Sequence, residues 1–385
     1  MQDMASAKAH IDWQKQEAPQ ACDIRIGLAE RLLLTSIDGR QTVFAEKSQQ
    51  VFEPNDASCA VLAMLETPQL PNVLFDRLTP AFAGDRDAIA SMLVEWSQAG
   101  LLETFPAEDC NRVTPRATAR MPALDTGIDL QFHGDDIGWF DCYRHLPPAT
   151  GSGPCIQAWQ AGELGIIKVT GEQGRIVPRH LLAAGFRFAL VEAILRQTKC
   201  IVLHCASLIR GDRAILLLGE PGAGKSTLGM FASQHGFALG GDDIALFDPK
   251  TGDIAPLPLP LTLKQGSWAM LPRSDWRGEK PERVLRADNV EVVYLPLSQS
   301  TLPPPLTARA LVLLDRRAEG APARSDWLKI DCLRHLCHES KSRSGRASVE
   351  DMQALLAMVT SAETLSLRYA DAAEAGKMLG CYFGD

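Results

Sequence analysis

The chain has 385 residues, of which 46% are hydrophobic and 22% charged, and its formal charge is -8. That length supports two or three cores and needs no disulfide staple, while the acidic balance disfavours a general affinity for nucleic acid or an anionic membrane. The ten cysteines are scattered, with no Cys-x-x-Cys pair, as expected of reduced thiols in a cytoplasmic protein.

Residues 1–22 are polar and aperiodic, lack the apolar core of a targeting signal, and read as a flexible tail. No later run is long enough to span a bilayer. Residues 23–105 are expected to form one small α+β module. Strand-like segments at 24–34 and 42–52 flank the turn sequence "IDGR". A helix follows, capped by Asn55 or Asp56, with Val61, Leu62 and Leu65 on one face. Pro71 opens a second helix bearing Leu74, Phe75 and Leu78. Ile89, Met92, Leu93 and Trp96 give a third the i, i+3, i+4, i+7 pattern, and Gly100 stops it. Strands followed by three helices predict a winged-helix module.

Residues 106–126 are polar and proline-bearing and read as a linker, leaving 127–385 as the second unit. Its early part carries strand-like runs ("GIDLQF", "LGIIKVTG") around a weak helix signal at 139–145. A helix is predicted over 180–197. "CIVLHCASLI" and "RAILLLG" read as two strands joined by "RGDR", a helix runs over 225–235, and "FALGGDDIALFD" reads as strand, turn, strand. The proline-rich 255–263 and 302–306 are poor inner elements. A strand at "RALVLLD" and helices near 330–340 and 349–360 complete the chain.

The chemistry centres on "LLLGEPGAGKST". Gly219, Gly224, Lys225 and Ser226 satisfy G-x-x-x-x-G-K-[ST] between an apolar strand and a helix. In that setting Gly219, Glu220, Pro221, Gly222, Ala223, Gly224, Lys225, Ser226 and Thr227 form a loop whose amides converge on phosphates. Lys225 reaches the β- and γ-phosphates of ATP, and the Ser226 hydroxyl ligates Mg2+. Asp242 and Asp243, at the end of the next strand, supply a carboxylate for the metal and one to accept a hydroxyl proton. Which does which is open. His204 lies on the strand before the loop, where a histidine is as well explained by the core.

The string "LHCASLIRGDRAILLLGEPGAGKSTLGMFASQHGFALGGDDIALFD" resembles the catalytic core of the HPr kinase/phosphorylase family and its kinase-related branch. The resemblance is strong over residues 200–248. It implies an α/β fold of HPr-kinase-like P-loop type with a mixed sheet, Mg2+-dependent transfer of phosphate from ATP to a seryl hydroxyl, a place in the site for His204, and a homo-oligomer. Thr227 departs from the Glu of the bifunctional members, so phosphorolysis is not expected. "LPLTLKQGSW" and "SRSGR" resemble substrate segments of the family and make Lys264 and Arg346 substrate candidates. The first module is similar to PqqD-like peptide chaperones in "QVFEPNDASCAVLAMLETPQLPNVLFDRL" and "WSQAGLL". That likeness implies a leader peptide docked as an added strand near 42–52 and on the face of 85–99. Arg86 stands against Asp85, Asp87 and Glu95, which disfavours a DNA-reading helix.

Two further clusters carry less. "CLRHLCH" (Cys332, His335, Cys337, His338) has metal-ligand residue types, but they do not share a helical face, and a mixed core-and-surface helix is expected. Trp268 and Trp276, among Lys264, Arg273 and Arg277, suit a nucleotide base, an acceptor or loop packing equally. The sequence therefore predicts an ATP-dependent kinase acting on a serine of a peptide or protein presented by the first module. The alternatives are a kinase of free serine or another small molecule, and a regulatory nucleotide-binding module without rapid transfer.

Overall fold

The computed structural model describes residues 24–106, 114–123, 126–146, 149, 151, 153–268, 281–297, 303–342 and 345–384. It is a mixed α/β structure with mixed sheets. Its first part comprises β1 (Ile24–Leu28), β2 (Leu32–Ile37), β3 (Arg40–Ala45), β4 (Gln50–Phe52), α1 (Asp56–Leu65), α2 (Pro71–Leu78), α3 (Arg86–Gln98) and β5 (Leu102–Pro106). The strand expected over 24–34 breaks at 29–31, because β1 leaves to pair with β5 while β2 pairs with β3. Asp38 and Gly39, at φ +50° and +80°, make the left-handed turn that the twist of a two-residue hairpin requires. Asn55 caps α1 by accepting the Ser58 amide at 2.8 Å, and Asp85 caps α3 through the Ala88 amide at 2.9 Å.

Within the expected linker, residues 117–123 form a strand, β6 (Ala117–Ala123), paired along its whole length with β7 (Thr126–His133). Arg120 and Pro122 in "ATARMPA" mask a strand that the register with β7 makes plain. β8 (Cys155–Ala161), β9 (Leu164–Val169) and β10 (Arg175–Pro178) complete a sheet in the order β10-β9-β8-β7-β6. The helix signal near 139–145 becomes a 3-10 turn, Gly138–Tyr143. Both faces of this sheet are covered. Ile156, Ala158, Ile167 and Val169 face α4 (Leu182–Gln197), whereas Trp159, Leu164, Ile166 and Ile176 join the core of the first module. The Arg86–Glu163 ion pair, at 2.8 Å, ties the two parts at the rim.

The third part contains β11 (Ile201–Leu203), β12 (Ala206–Arg210), β13 (Arg213–Leu218), α5 (Lys225–Ser233), β14 (Ala238–Gly241), β15 (Ala245–Phe247), β16 (Asp253–Ala255), β17 (Leu261–Lys264) and α6 (Gln265–Trp268). β18 (Arg283–Leu285), β19 (Glu291–Leu295), β20 (Leu306–Arg316), β21 (Ala323–Asp326), α7 (Lys329–Glu339), β22 (Ser340–Lys341), α8 (Val349–Ser361), β23 (Glu363–Tyr369) and α9 (Ala372–Tyr382) follow. The main sheet runs β14-β12-β13-β20-β16-β15-β11-β22, with β23 parallel to β20. "CIVLHCASLI" is two strands rather than one. β11 pairs with β15 and β22, β12 with β13 and β14, and the break at His204 is held by the His204 amide donating to the Glu339 carbonyl at 3.2 Å. β13, β20 and β23 are parallel, so their carboxyl ends meet at one edge, where an open α/β sheet places its ligands. Among the described residues no helix is long and apolar enough to cross a membrane.

Candidate functional site

At that edge β13 runs into the glycine loop, and three glycines permit its path. Gly219, Gly222 and Gly224 have φ of +142°, +93° and +94°, conformations that L side chains rarely adopt. A Cβ on Gly224 would also collide with the Tyr369 hydroxyl, which donates to the Ala223 carbonyl at 2.7 Å. The end of β23 thus clamps the loop from outside. Gly224 leads directly into α5, whose first amides have no partner within the helix and favour an anion. Lys225 is buried and folds back on the loop, donating to the Gly219 carbonyl at 2.5 Å and the Glu220 carbonyl at 3.4 Å. Burial lowers its pKa, and Asp243, Glu339 and Asp242 offset that in part.

The two aspartates have different surroundings. Asp242 is fully buried; its carboxylate accepts the Ser226 hydroxyl at 2.8 and 3.1 Å and the Thr262 amide at 2.8 Å. Burial first, and Asp243 second, push its carboxyl well above the ordinary range against the pull of those donors. Asp243 sits in the left-handed region at φ +68° and keeps 41% of its side-chain surface exposed. Its carboxylate accepts from Arg187 Nη2 at 2.8 Å and from the Thr262 hydroxyl at 3.4 Å. Burial would raise its pKa, but the charge and hydrogen bond of Arg187 outweigh this and hold it below the usual aspartate range. The turn between β14 and β15 therefore aims one carboxylate down at the loop serine and the other into a cavity.

That cavity, about 850 Å³, is bordered by Lys225, Ser226, Asp243, His204, Lys264 and Arg316 among others. The structure brings His204 to it with its Nδ1 2.6 Å from Glu339 Oε2, the contact that holds the Glu339 carboxyl below its ordinary range. Thr227 turns from the cavity floor to Ser267, 2.7 Å away between hydroxyls. Lys264, exposed at the end of β17, lines the cavity. Arg346 does not border it; its carbonyl accepts the Ser342 hydroxyl beside α8. Trp268 donates its indole N-H to the Leu263 carbonyl at 3.0 Å, with the Arg283 guanidinium 4.6 Å from its ring centre. Trp276, Arg273 and Arg277 lie outside the described residues. Cys332 is buried in the core, His335 packs edge-on to Trp327, and Cys337 is exposed.

Four contributors escape a reading of motifs. Arg187 is buried on α4, donates to the Pro260 carbonyl at 2.9 Å, and remains charged because Asp243, Tyr143, Tyr294 and Asp242 together outweigh the cost of its burial. Its signal was an arginine set between Phe186 and Phe188 in the apolar half of "LLAAGFRFALVEAILRQ", since a charge in an apolar stretch needs a partner. Arg316 stands at the carboxyl end of β20, its Cδ 3.9 Å from where a Gly224 Cβ would lie. Asp315 pairs with Arg317 and Arg368 instead, so Arg316 makes no ion pair among the described residues. Glu339 and Tyr369 lie too far along the chain for local spacing to reveal.

The donors at this site fit Mg2+, a hard cation that keeps several waters and binds through one or two protein oxygens plus phosphates. Ser226 faces the cavity, Asp242 acts through Ser226 from beneath, and Asp243 faces the cavity itself. Among the described residues no group of three or more His, Cys, Asp or Glu is arranged to hold a metal unaided.

No family model matches the chain, and no curated protein matches it. The solved structures with which it shares some likeness include the Hpr(Ser) kinase/phosphatase from Coxiella burnetii, at 9% identity, over 48% of this chain and 93% of that one, with a TM-score of 0.24. A likeness so faint carries no argument about this chain.

Proposed function

We propose that the chain is an ATP-dependent kinase that transfers the γ-phosphoryl group to a hydroxyl, a serine of a peptide or protein held by the first module. One observation carries the reading: Asp243, ionised and presented by Arg187, borders the same cavity as the glycine loop, Lys225 and Ser226. A module that merely senses a nucleotide needs the loop and the metal donors, but not a second carboxylate braced by a buried arginine.

In this reading the loop amides and the α5 N-terminus hold the phosphates, and Lys225 swings from the Gly219 carbonyl to the β,γ bridge. Mg2+, when bound, would neutralise charge on the β- and γ-oxygens. Ser226, with Asp242 beneath it, is the residue that would hold the metal. Asp243 accepts the hydroxyl proton as the seryl oxygen forms its bond to phosphorus and ADP leaves. Its low pKa suits a loose transition state, in which the proton moves late and position matters more than basicity. Lys264 and Arg316 face the transferred charge, and His204, steadied by Glu339, borders the same cavity as Lys225.

The first module supports the peptide as acceptor. Leu33, Phe44 and Val51 stand opposite one another across β2, β3 and β4, an apolar row of which Leu33 and Val51 are exposed. With β2 and β4 at the edges of that sheet among the described residues, a segment added as a strand has both backbone partners and an apolar face. Part of α3 is committed elsewhere, since it packs on β10.

The test incubates the full chain with Mg2+ and γ-labelled ATP, offering seryl peptides and free serine in parallel. Label in a peptide hydroxyl, lost with Asp243→Asn and weakened by Val51→Asp, is expected. Label on free serine that ignores Val51→Asp would turn the reading to a small-molecule kinase, and tight ATP binding with no transfer to any acceptor would end it.

A further inference from the structure

α4 is apolar on nearly every side, yet only part of it is packed into the core. Leu182, Ala183, Phe186, Ala189, Leu190, Ala193 and Ile194 are buried. Glu192 and Arg196 carry charge on its C-terminal half, but in the N-terminal half the positions left over, Ala184, Gly185 and Phe188, are apolar, where a helix on a solvated surface carries polar residues. Ala184, Phe188 and Val191, at i, i+4 and i+7, line the cavity beyond Asp243, with Ile167 of β9 and Val177 of β10 opposite them. Phe188 is 57% exposed. Gly185 lets the helix approach that wall, since a Cβ there would lie 2.6 Å from Ile167 Cδ1.

The cavity thus has two halves of opposite character. The half at the loop is cationic and lined by amides. The other is an apolar annex beside cations that already have acidic partners: Arg175 meets Glu192 at 2.5 Å and rests its guanidinium 5.6 Å from the Phe188 ring centre, and Arg286 meets Asp288 at 3.2 Å. Among the described residues, an anion there would have to compete with those carboxylates. Arg187 links the halves, because it shares the α4 stripe with Ala184 and Phe188 and holds Asp243.

We infer that the annex is a specificity pocket for a large apolar side chain, aromatic or leucine-like, next to the serine that receives phosphate. The inference rests on the kinase reading above. A hydroxyl at Asp243 places its own neighbours along the α4 stripe, whereas the base of a nucleotide lies at the far end of its triphosphate from the γ-phosphorus. The annex is continuous with the acceptor position, and an apolar occupant matches its lining.

The test uses the full chain with a non-hydrolysable ATP analogue and Mg2+, and measures binding of the peptides acetyl-Gly-Gly-Ser-Xaa-Gly-Gly-amide and acetyl-Gly-Xaa-Ser-Gly-Gly-Gly-amide, with Xaa Phe, Leu, Ala or Glu. In at least one register Phe or Leu is expected to bind about tenfold tighter than Ala, with Glu weakest. Phe188→Glu, a change at an exposed position, should erase that preference, and Ala184→Leu, which narrows the annex, should shift it from Phe toward Ala. Equal affinity across the series overturns the inference. So does a Phe188→Glu variant that loses affinity for ADP and adenosine while keeping the peptide preference, which would assign the annex to the base. Phosphoryl transfer is followed separately. Discrimination in binding without transfer to any peptide would leave the annex standing and sink the kinase reading, and transfer without discrimination would do the reverse.

Discussion

The two ends of the cavity hold their functional groups by different means. At the loop, position is set mainly by the backbone, by three glycines with positive φ and the amides of the α5 N-terminus, with the Tyr369 hydroxyl clamping the Ala223 carbonyl. At the Asp243 end it is set by side chains, a guanidinium on α4 and the Thr262 hydroxyl fixing one carboxylate on the β14–β15 turn. The first arrangement admits no added Cβ at its glycines. The second depends chiefly on the Arg187–Asp243 pair, so its failure is concentrated in two residues.

The largest effect expected is that of Asp243→Asn, which keeps the shape but removes the proton acceptor. Transfer should fall about 10³-fold while ATP affinity changes little, measured by single-turnover transfer and by nucleotide titration. Comparable losses in both would mean that the two ends are not separable. Arg187→Met comes next. It should reduce transfer about 100-fold and cost about 2 kcal/mol of stability, less than the loss of a fully buried pair because Asp243 is 41% exposed. Denaturant unfolding beside the transfer assay checks both numbers, and unchanged transfer would show that Asp243 needs no brace.

Gly224→Ala probes the backbone end. It should weaken ATP binding about tenfold, through strain at φ +94° and the clash with Tyr369, whereas Thr227→Val should leave binding nearly as it was. The smallest expected effect is on pH. The folded-state carboxyl of Asp242 lies above its unfolded value, so the folded nucleotide-free chain binds the extra proton. Its contribution to stability is full below the unfolded value and is lost as pH rises toward neutrality. Asp243 has the opposite sign, its contribution being lost on acidification through its lowered folded value. Asp242→Asn should therefore flatten the decline in melting temperature toward neutral pH. A steeper decline would mean that Asp242 is ionised in the resting protein.

What could be read beforehand follows the same division. The loop, its helix and the paired aspartates lie in one stretch of chain, where residue spacing fixes spatial neighbours, and "GEPGAGKST" has few uses outside a strand-turn-helix. Arg187, Glu339, Arg316 and Tyr369 come from four other elements, and it is the parallel alignment of β13, β20 and β23, with α4 across from them, that brings them together. The cap at Asn55, one of two adjacent candidates, was legible because capping is local. β9 was legible as the apolar run in "LGIIKVTG", whereas β8 was not singled out, because both faces of its sheet are buried and blur the alternation. The split of "CIVLHCASLI" was hidden for another reason: His204 leaves the ladder for a carbonyl far along the chain, at Glu339.

The covered second face of that middle sheet bears on how such a chain arises and how it can be rebuilt. Trp159, Leu164, Ile166 and Ile176 belong to the same core as Leu74, Phe75, Ile89 and Leu93. A module seated in this way cannot be lifted out and exchanged like a cassette on a string. Its removal would bare one side of a sheet whose other side supports α4, and α4 carries Arg187. Any lineage that trades this module for another must recast the sheet beneath it in the same step, so the first module and the cavity are expected to have been inherited as one piece.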